Sequence, residues 1–275
     1  MATVIAIDAS DPSADGGVVA WHRPGRVGVL ARDGGTEEAP GAHPAVGEGL
    51  LAWIGDGAIE VRSLSDRSYA RTVPAPGADA VAVSARWLAW RARRAGGDDL
   101  VVVPLGGGAP ILAAGADAPA QLGRPSLSGD LVAWHVAGRR GSRIRIRPLP
   151  VGSARTLRRE RRAQLLNPAL LGAELVYVRA TFKGQELRLG GLERRSTRRD
   201  GELWDSVPTG RRDKGHEEGR EHLRRGWPRK LWPRPPRGRS DTLWTTALAP
   251  DAAYVTRLRQ EAGAPLALAL VRVDR

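Results

Sequence analysis

Short apolar runs recur along the whole chain and are separated by turns rich in Gly, Pro, Asp and Ser. Within most runs apolar and polar residues alternate, as in "IEVRSLSD" from Ile59 and "IRIRPLP" from Ile144. A period of two is typical of a β-strand with one face buried, and no segment shows the period of about 3.6 residues of an amphipathic helix. The pattern therefore predicts an all-β protein built from short antiparallel strands.

A ten-residue motif inside this pattern occurs six times along the chain. It opens on Pro, Val or Thr, carries turn-forming residues in its middle and ends on an aromatic residue, as in "PSLSGDLVAW". The six aromatic residues are Trp21, Trp53, Trp90, Trp134, Tyr177 and Tyr254. All but the last are spaced about 40 residues apart, which is the period of a four-stranded propeller blade. We expect these side chains to be structural and to fill the space between neighbouring sheets.

An alternating run follows each motif in register and predicts a third strand. The repeat therefore predicts a six-bladed β-propeller with four-stranded antiparallel blades, formed as a single domain by residues 1–275. The chain starts with an isolated apolar run, Thr3 to Ile7, whereas the last repeat stops after its third strand. We predict that the N-terminal strand completes the last blade and closes the ring without a free edge.

Three turns carry a more specific signal, namely "PSADGG" at Pro12, "PSLSGD" at Pro125 and "LAPDAA" at Leu248. They resemble the turn of the TolB-type β-propeller repeat, a WD-repeat-like module also called PD40. The resemblance covers most of the chain outside residues 193–244. It implies the six-bladed fold, and because propellers of this kind serve many functions it implies no particular activity.

The repeat is interrupted by an insertion, residues 193–244, between the fifth and sixth blades. We predict that its first part, residues 201–207, forms the fourth strand of the fifth blade and that the rest is a long loop. Proline keeps such a segment extended, which leaves its tryptophans free to stack on a ligand while its cations bind anions. The alternative is that the tryptophans pack on the propeller and the cations are solvated. The candidate binding residues of the insertion are Trp227, Arg229, Lys230, Trp232, Arg234, Arg237 and Arg239.

A second basic cluster lies between Arg139 and Arg162, where three arginines alternate with isoleucines. Alternation places Arg143, Arg145 and Arg147 on one face of a strand, and the run that follows predicts a basic outer edge. Such a surface would bind a polyanion, or it would only prevent sheets from associating edge to edge. The formal net charge of +13 is compatible with either interpretation.

Signatures of metal and catalytic sites are weak. The chain has no cysteine, which excludes disulfides and thiolate chemistry. His216 and His222 are too far apart for the zinc motif in which two histidines share one helical face, and Asp8, Asp11 and Asp15 do not match a calcium-binding loop. We find no phosphate-binding loop, dinucleotide fingerprint or nucleophile elbow. The sequence thus predicts no metal site and no cofactor.

The resulting expectation is a non-catalytic, monomeric scaffold that binds a protein partner. The first alternative is binding of a polyanion, either nucleic acid or an anionic envelope polymer, and the second is an enzyme with a loop-built site at the channel. His22 and His135 each follow a repeat tryptophan, and we expect both to be structural or exposed. The N-terminus has no basic and apolar leader and no run approaches the length of a membrane span, so a cytoplasmic protein is expected as written. A true start that carries a leader would make it extracytoplasmic.

Overall fold

The structure is a computed structural model, and it describes residues 2–31, 34–66, 68–139, 141–182, 184–192, 229–230, 239–261 and 267–274. These residues form six antiparallel β-sheets, and no helix occurs among them. No helix that could cross a membrane is therefore found in this part of the chain. The innermost strands of consecutive sheets contact each other, and that of the last sheet contacts that of the first. The predicted all-β, six-bladed β-propeller is confirmed.

The strands follow one another outward from the centre of the ring, except that β1 (Ala2–Ile7) belongs to the last blade. The first blade contains β2 (Ser10–Asp15), β3 (Val18–Arg23), β4 (Arg26–Leu30) and β5 (Thr36–Pro40). The second blade contains β6 (Ala42–Gly47), β7 (Leu50–Ile54), β8 (Ala58–Ser63) and β9 (Ala70–Pro74). The third blade contains β10 (Ala78–Val83), β11 (Trp87–Arg94), β12 (Gly97–Pro104) and β13 (Ile111–Asp117).

The fourth blade differs in that two short strands share its inner position, since both pair with the same neighbour. It contains β14 (Gln121–Leu122), β15 (Ser126–Ser128), β16 (Leu131–Gly138), β17 (Gly141–Pro148) and β18 (Arg155–Glu160). The fifth blade contains β19 (Gln164–Leu171), β20 (Glu174–Thr181), β21 (Gly184–Gly191) and β22 (Arg229–Lys230). The sixth contains β23 (Arg239–Leu248), β24 (Ala252–Glu261) and β25 (Ala267–Asp274), with β1 outermost.

The N-terminal strand closes the ring as predicted. It pairs antiparallel with the end of the chain, from Ala2 opposite Val273 to Ile7 opposite Ala269. The sixth blade therefore takes its outermost strand from one end of the sequence and the other three from the opposite end. This pairing gives β25 a partner on its outer side.

The fourth strand of the fifth blade corrects an expectation. The position beside β21 is occupied by β22, where Arg229 pairs with Leu189 and Lys230 with Arg188. The sequence predicts this strand at residues 201–207, which lie outside the described residues. A strand of two residues carries no alternation, so periodicity cannot locate it. The insertion predicted from sequence ends at residue 244, but the sixth blade already begins at Arg239, the first residue of β23.

The blades are held together by apolar side chains that fill the spaces between their sheets. Trp134 is completely buried against Trp87 and Leu100 of the third blade. Trp53 is half-buried, with the guanidinium of Arg62 5.5 Å from its ring centroid. The other repeat aromatics are buried between blades as well, namely Trp21, Trp90, Tyr177 and Tyr254.

Tyr254 lies one residue out of register with the other repeat aromatics. It packs with Trp21 between the sixth and first blades, whereas Val255 faces the fifth blade. Alternate residues of a strand point to opposite faces, so a shift of one residue moves a side chain into the other interface. The ungapped repeat alignment is therefore off by one position in the sixth blade, where the residue equivalent to Trp21 is Val255.

The innermost strands approach each other closely and need small residues where they do. The hydroxyl of Ser13 in the first blade accepts a hydrogen bond of 2.8 Å from the amide of Val46 in the second. A Cβ atom on Gly47 would lie 2.0 Å from the carbonyl oxygen of Val83 in the third blade. Both contacts join neighbouring blades near the axis of the ring.

We predict that Gly47→Ala destabilises the protein, because its methyl group would collide with backbone that cannot rotate away. Forced overpacking of this kind should lower the free energy of unfolding by at least about 2 kcal/mol. Gly55→Ala in the same blade is the matched control, since the nearest atom to its added Cβ is 3.7 Å away. Urea unfolding should show a change within about 0.5 kcal/mol for the control. Equal stability of the two variants would contradict the close approach.

Candidate functional site

The innermost strands begin at the same end of the central channel, and most of them bulge there. The ladder is interrupted between Ser10 and Ser13 in the first blade, and equivalent bulges occur in the second, fifth and sixth blades. A β-bulge re-aims side chains, often beside a functional site. We call this end of the channel the mouth. Its characteristic residues come directly before the prolines of four repeats, and they are Asp11, His43, Arg124 and Asn167.

Three of these mouth residues have an unusual backbone conformation. Asp11, His43 and Asn167 have φ angles of +49°, +50° and +46°, the left-handed region that favours glycine. A residue in such a conformation costs about 1–3 kcal/mol and persists only where the surrounding structure enforces it. Non-glycine residues of this kind cluster at functional sites, so their recurrence at one position of three blades marks the mouth as a candidate site.

Asp11 and His43 are joined by a hydrogen bond across the first two blades. The Nδ1 atom of His43 lies 2.5 Å from Oδ2 of Asp11. Burial by itself would raise the pKa of Asp11, but the hydrogen bond from His43 and the charge of Arg124 outweigh it and lower that pKa to about 2. Asp11 is therefore a stable anion at the mouth.

His22 completes a group of three side chains with metal-ligating atoms. Its ring centroid lies 5.1 Å from that of His43, and one ligating atom from each of Asp11, His22 and His43 lies within 4.8 Å of the others. Burial, together with the neighbouring charge of His43, lowers the pKa of His22. The neutral imidazole that can donate its lone pair is thus favoured at neutral pH.

Arg124 extends from the fourth blade across the channel. Its guanidinium donates one hydrogen bond of 3.2 Å to the carbonyl oxygen of Pro12 in the first blade and another to that of Pro44 in the second. Burial lowers the pKa of Arg124, although the charge of Asp11 opposes this effect. A single arginine therefore connects three blades at the mouth.

Glu48 makes a corresponding connection at the opposite end of the channel. Its carboxylate accepts hydrogen bonds from the amide of Ala85 in the third blade at 3.1 Å and from that of Gly129 in the fourth at 2.6 Å. With both ends bridged, the centre of the ring retains a cavity of about 110 Å³.

The far side of the mouth is arranged around a buried histidine. The Nδ1 atom of His135 accepts a hydrogen bond of 3.0 Å from the amide of Asn167. Burial and the nearby charge of Arg91 lower the pKa of His135 to about 4. The side-chain amide of Asn167 donates in turn to the carbonyl oxygen of Trp244 at 2.9 Å. Trp244 itself lies in the bulge of β23 and is 61% exposed.

Two of the three arginines predicted on β17 donate hydrogen bonds within the propeller. Arg145 lies 5.9 Å from the ring centroid of Trp134 and donates to the carbonyl oxygen of Ala154 at 2.7 Å. Arg147 donates to the carbonyl oxygen of Leu112 in the third blade at 3.1 Å. Arg143 is exposed. These arginines lie on the third strand of the fourth blade and are not brought to the mouth.

The candidate residues of the insertion are only partly placed by the structure. Arg229 and Lys230 form β22 on the outer edge of the fifth blade, and Arg239 begins the innermost strand of the sixth. The remaining candidates, Trp227, Trp232, Arg234 and Arg237, lie outside the described residues. Their role in binding stays a prediction.

Sequence reasoning missed the mouth although a signal was present. Aligning the repeats shows that polar residues precede the motif in four of six copies. A repeat is recognised by positions that stay the same in each copy. The residue before the motif changes from Asp to His, Arg and Asn and is therefore overlooked. Variation at one column of a repeat is what a shared binding surface produces, because each copy contributes a different group to one site.

No family model matches the sequence, and no curated protein matches it. Solved structures share the fold. TolB from Acinetobacter baumannii matches with a TM-score of 0.54 at 10% identity, covering 91% of this chain and 59% of that one. The β-propeller domain of the trilobed protease from Pyrococcus furiosus matches with a TM-score of 0.54 at 9% identity, covering 98% and 95%. A prolyl endopeptidase matches with a TM-score of 0.53 at 14% identity, covering 97% and 42%.

At these identities the similarity establishes the fold alone. The chain spans about half the length of the endopeptidase and of the Acinetobacter TolB. The resemblance to TolB-type propellers is confirmed at the level of the fold. The Pyrococcus domain has an open velcro topology, whereas β1 closes the last blade of the present ring.

The depressed pKa of His135 predicts acid sensitivity. The folded state holds the proton less tightly than the unfolded chain, whose histidine has its ordinary pKa of 6.5. The stabilisation is therefore complete above pH 6.5 and is lost as the pH falls to 4, by about 3 kcal/mol in total. Urea unfolding at pH 7, 5.5 and 4.5 measures this loss.

His135→Gln is the informative variant, because glutamine can still accept the hydrogen bond from Asn167 but does not titrate. We expect its stability to fall less steeply over this pH range. A smaller slope in the same direction should remain, since the pKa of His22 is also lowered. An unchanged slope in the variant would show that His135 is not the acid-sensitive group.

Proposed function

We propose that this propeller is a non-catalytic scaffold that docks a protein partner on the mouth of its channel. The observation that carries the proposal is the small volume of the cavity in the channel, beneath a mouth that carries polar side chains and Trp244. This cavity of about 110 Å³ is well below the roughly 300–1,000 Å³ of pockets that enclose small-molecule ligands. The geometry therefore favours a ligand that rests on the mouth over a substrate enclosed within it.

Trp244 supports protein docking at this place. Tryptophan is enriched among the residues that dominate binding energy at protein interfaces, where it fills a pocket of the partner. At 61% exposure its ring is available for such a contact. The backbone beside it is fixed by the hydrogen bond from Asn167, so little conformational freedom is left to lose on binding.

Charged groups of both signs surround this anchor and would select the partner. Asp11 contributes an anion, Arg124 a cation and His43 an imidazole, and all three are half-buried. Charge complementarity at an interface determines specificity and association rate more than it determines affinity. A mouth with both signs suits a folded protein surface better than a uniformly charged polymer.

The polyanion alternative is less well supported by the described residues. Arg145 and Arg147 already donate to backbone carbonyls, which leaves Arg143 as the exposed member of that row. The net charge of +13 remains its main support. Binding of a polyanion would depend steeply on salt, since each neutralised phosphate releases a counterion.

The test is a quantitative pull-down from a lysate of the source cells with the full chain, with and without nuclease. We predict a nuclease-resistant protein partner whose recovery falls at least about tenfold with Trp244→Ala, as expected for loss of an anchor residue. Val151→Ala is the control, because Val151 is also apolar and 85% exposed but lies in the β17–β18 connection, between the two outer strands and on the opposite face of the propeller. Trp227→Ala combined with Trp232→Ala tests the insertion separately.

Each outcome assigns the binding surface. Loss with Trp244→Ala alone supports docking at the mouth. Loss with the insertion variant alone would move the site to the insertion and contradict the proposal. Recovery of only nuclease-sensitive or salt-labile material would replace the scaffold with a polyanion-binding protein.

A further inference from the structure

Asp11, His22 and His43 form a compact group of metal-ligating side chains at the mouth. They come from two adjacent blades, with Asp11 and His43 at equivalent bulges and His22 near the end of β3. One ligating atom of each lies within 4.8 Å of the others. Among the described residues, no other group of three or more histidine, aspartate or glutamate side chains brings its ligating atoms this close together.

One carboxylate and two imidazoles are a donor set typical of divalent first-row transition metals. Zinc binds histidine nitrogen and carboxylate oxygen at about 2.0–2.2 Å, which places tetrahedral ligand atoms roughly 3.3 Å apart. Asp11 and His43 are now closer than this, at 2.5 Å, because the proton of a hydrogen bond lies between them. Replacing that proton by an ion requires them to separate slightly and His22 to approach, movements within reach of side-chain rotation.

We propose that Asp11, His22 and His43 together bind one divalent transition-metal ion at the mouth of the channel, with Zn²⁺ as the representative ion. Three protein ligands leave a tetrahedral ion at least one position for water or for a ligand from outside. The inference is independent of the proposed partner binding, which depends on Trp244. Either can fail without the other.

The surroundings hold these ligands in position. The left-handed backbone at Asp11 and His43 is enforced by the bulges, so both side chains are directed to one place before an ion arrives. The donors of Arg124 are directed to the carbonyls of Pro12 and Pro44, so the guanidinium influences Asp11 through its charge. The positive charge of Arg124 disfavours the binding of a metal cation nearby, and the negative charge of Asp11 offsets this repulsion.

The composition of the chain makes the site unusually easy to test. There is no cysteine, and the five histidines are His22, His43, His135, His216 and His222. Binding that requires imidazole must therefore use some of these five. Two of them, His216 and His222, lie outside the described residues and need their own control.

The experiment is isothermal titration of the full chain with Zn²⁺ after treatment with a chelator, supported by the visible spectrum of the Co²⁺ form. We expect one ion per chain and a loss of affinity of more than about tenfold in each of His22→Ala, His43→Ala and Asp11→Asn. The combined His216→Ala and His222→Ala variant and the His135→Gln variant should bind like the wild type.

Asp11→Asn and His43→Ala also remove the hydrogen bond between these two side chains and could weaken the fold. His22→Ala is therefore the deciding variant if the other two fold poorly. Its fold is checked by comparing thermal unfolding of the metal-free proteins. A wild type that binds no ion, or affinity unchanged in His22→Ala, would overturn the site. Loss only in the His216 and His222 variant would assign binding to the insertion and equally overturn it.

Discussion

The fold depends on one constraint, which is that each four-stranded sheet has two apolar faces that only neighbouring sheets can cover. In the fourth blade Val132 and Trp134 face the third blade, while Ala133 and Ile146 face the fifth. Such a sheet is not stable alone, and a row of them leaves apolar surface at both ends unless the row closes into a ring. Closure is achieved by pairing β1 with β25, which joins the two ends of the chain in one sheet.

Closure also explains why the polar groups lie where they do. Most of the side chains buried between the blades are apolar, so a charged group on an inner strand is best accommodated along the channel. The bulges at the start of these strands direct residues such as Asp11 and His43 there. At the opposite end the strands enter tight turns, and Glu48 bridges amide groups of two blades instead. The two ends of one channel thus differ in chemistry because the strands begin at one and turn at the other.

The blades were predictable from sequence because their signal is local and is repeated six times. The strand β22 was not, since two residues within an Arg- and Pro-rich segment have no period. The sequence alignment places Tyr254 one position out of register, because the turn before it, "APDA", is shifted by one residue relative to the other repeats. An alignment without gaps does not reveal such a shift. The mouth escaped prediction for a different reason. Its contacts join residues far apart in sequence, such as Arg124 and Pro12, 112 positions away, and its members differ from repeat to repeat.

The mouth is an assembled surface whose polar groups are already fixed by the propeller. Arg124 is held by carbonyls of two other blades, and Asn167 by the amide and carbonyl contacts it makes with His135 and Trp244. Groups held in this way lose little entropy when a ligand binds, so most of each new contact contributes to affinity. The sixth blade, which carries Trp244, contacts the first, which carries Asp11 and His22, through β23 and β2. A partner anchored on the indole would therefore extend directly over the aspartate and histidine group, where an ion with an open position would meet it.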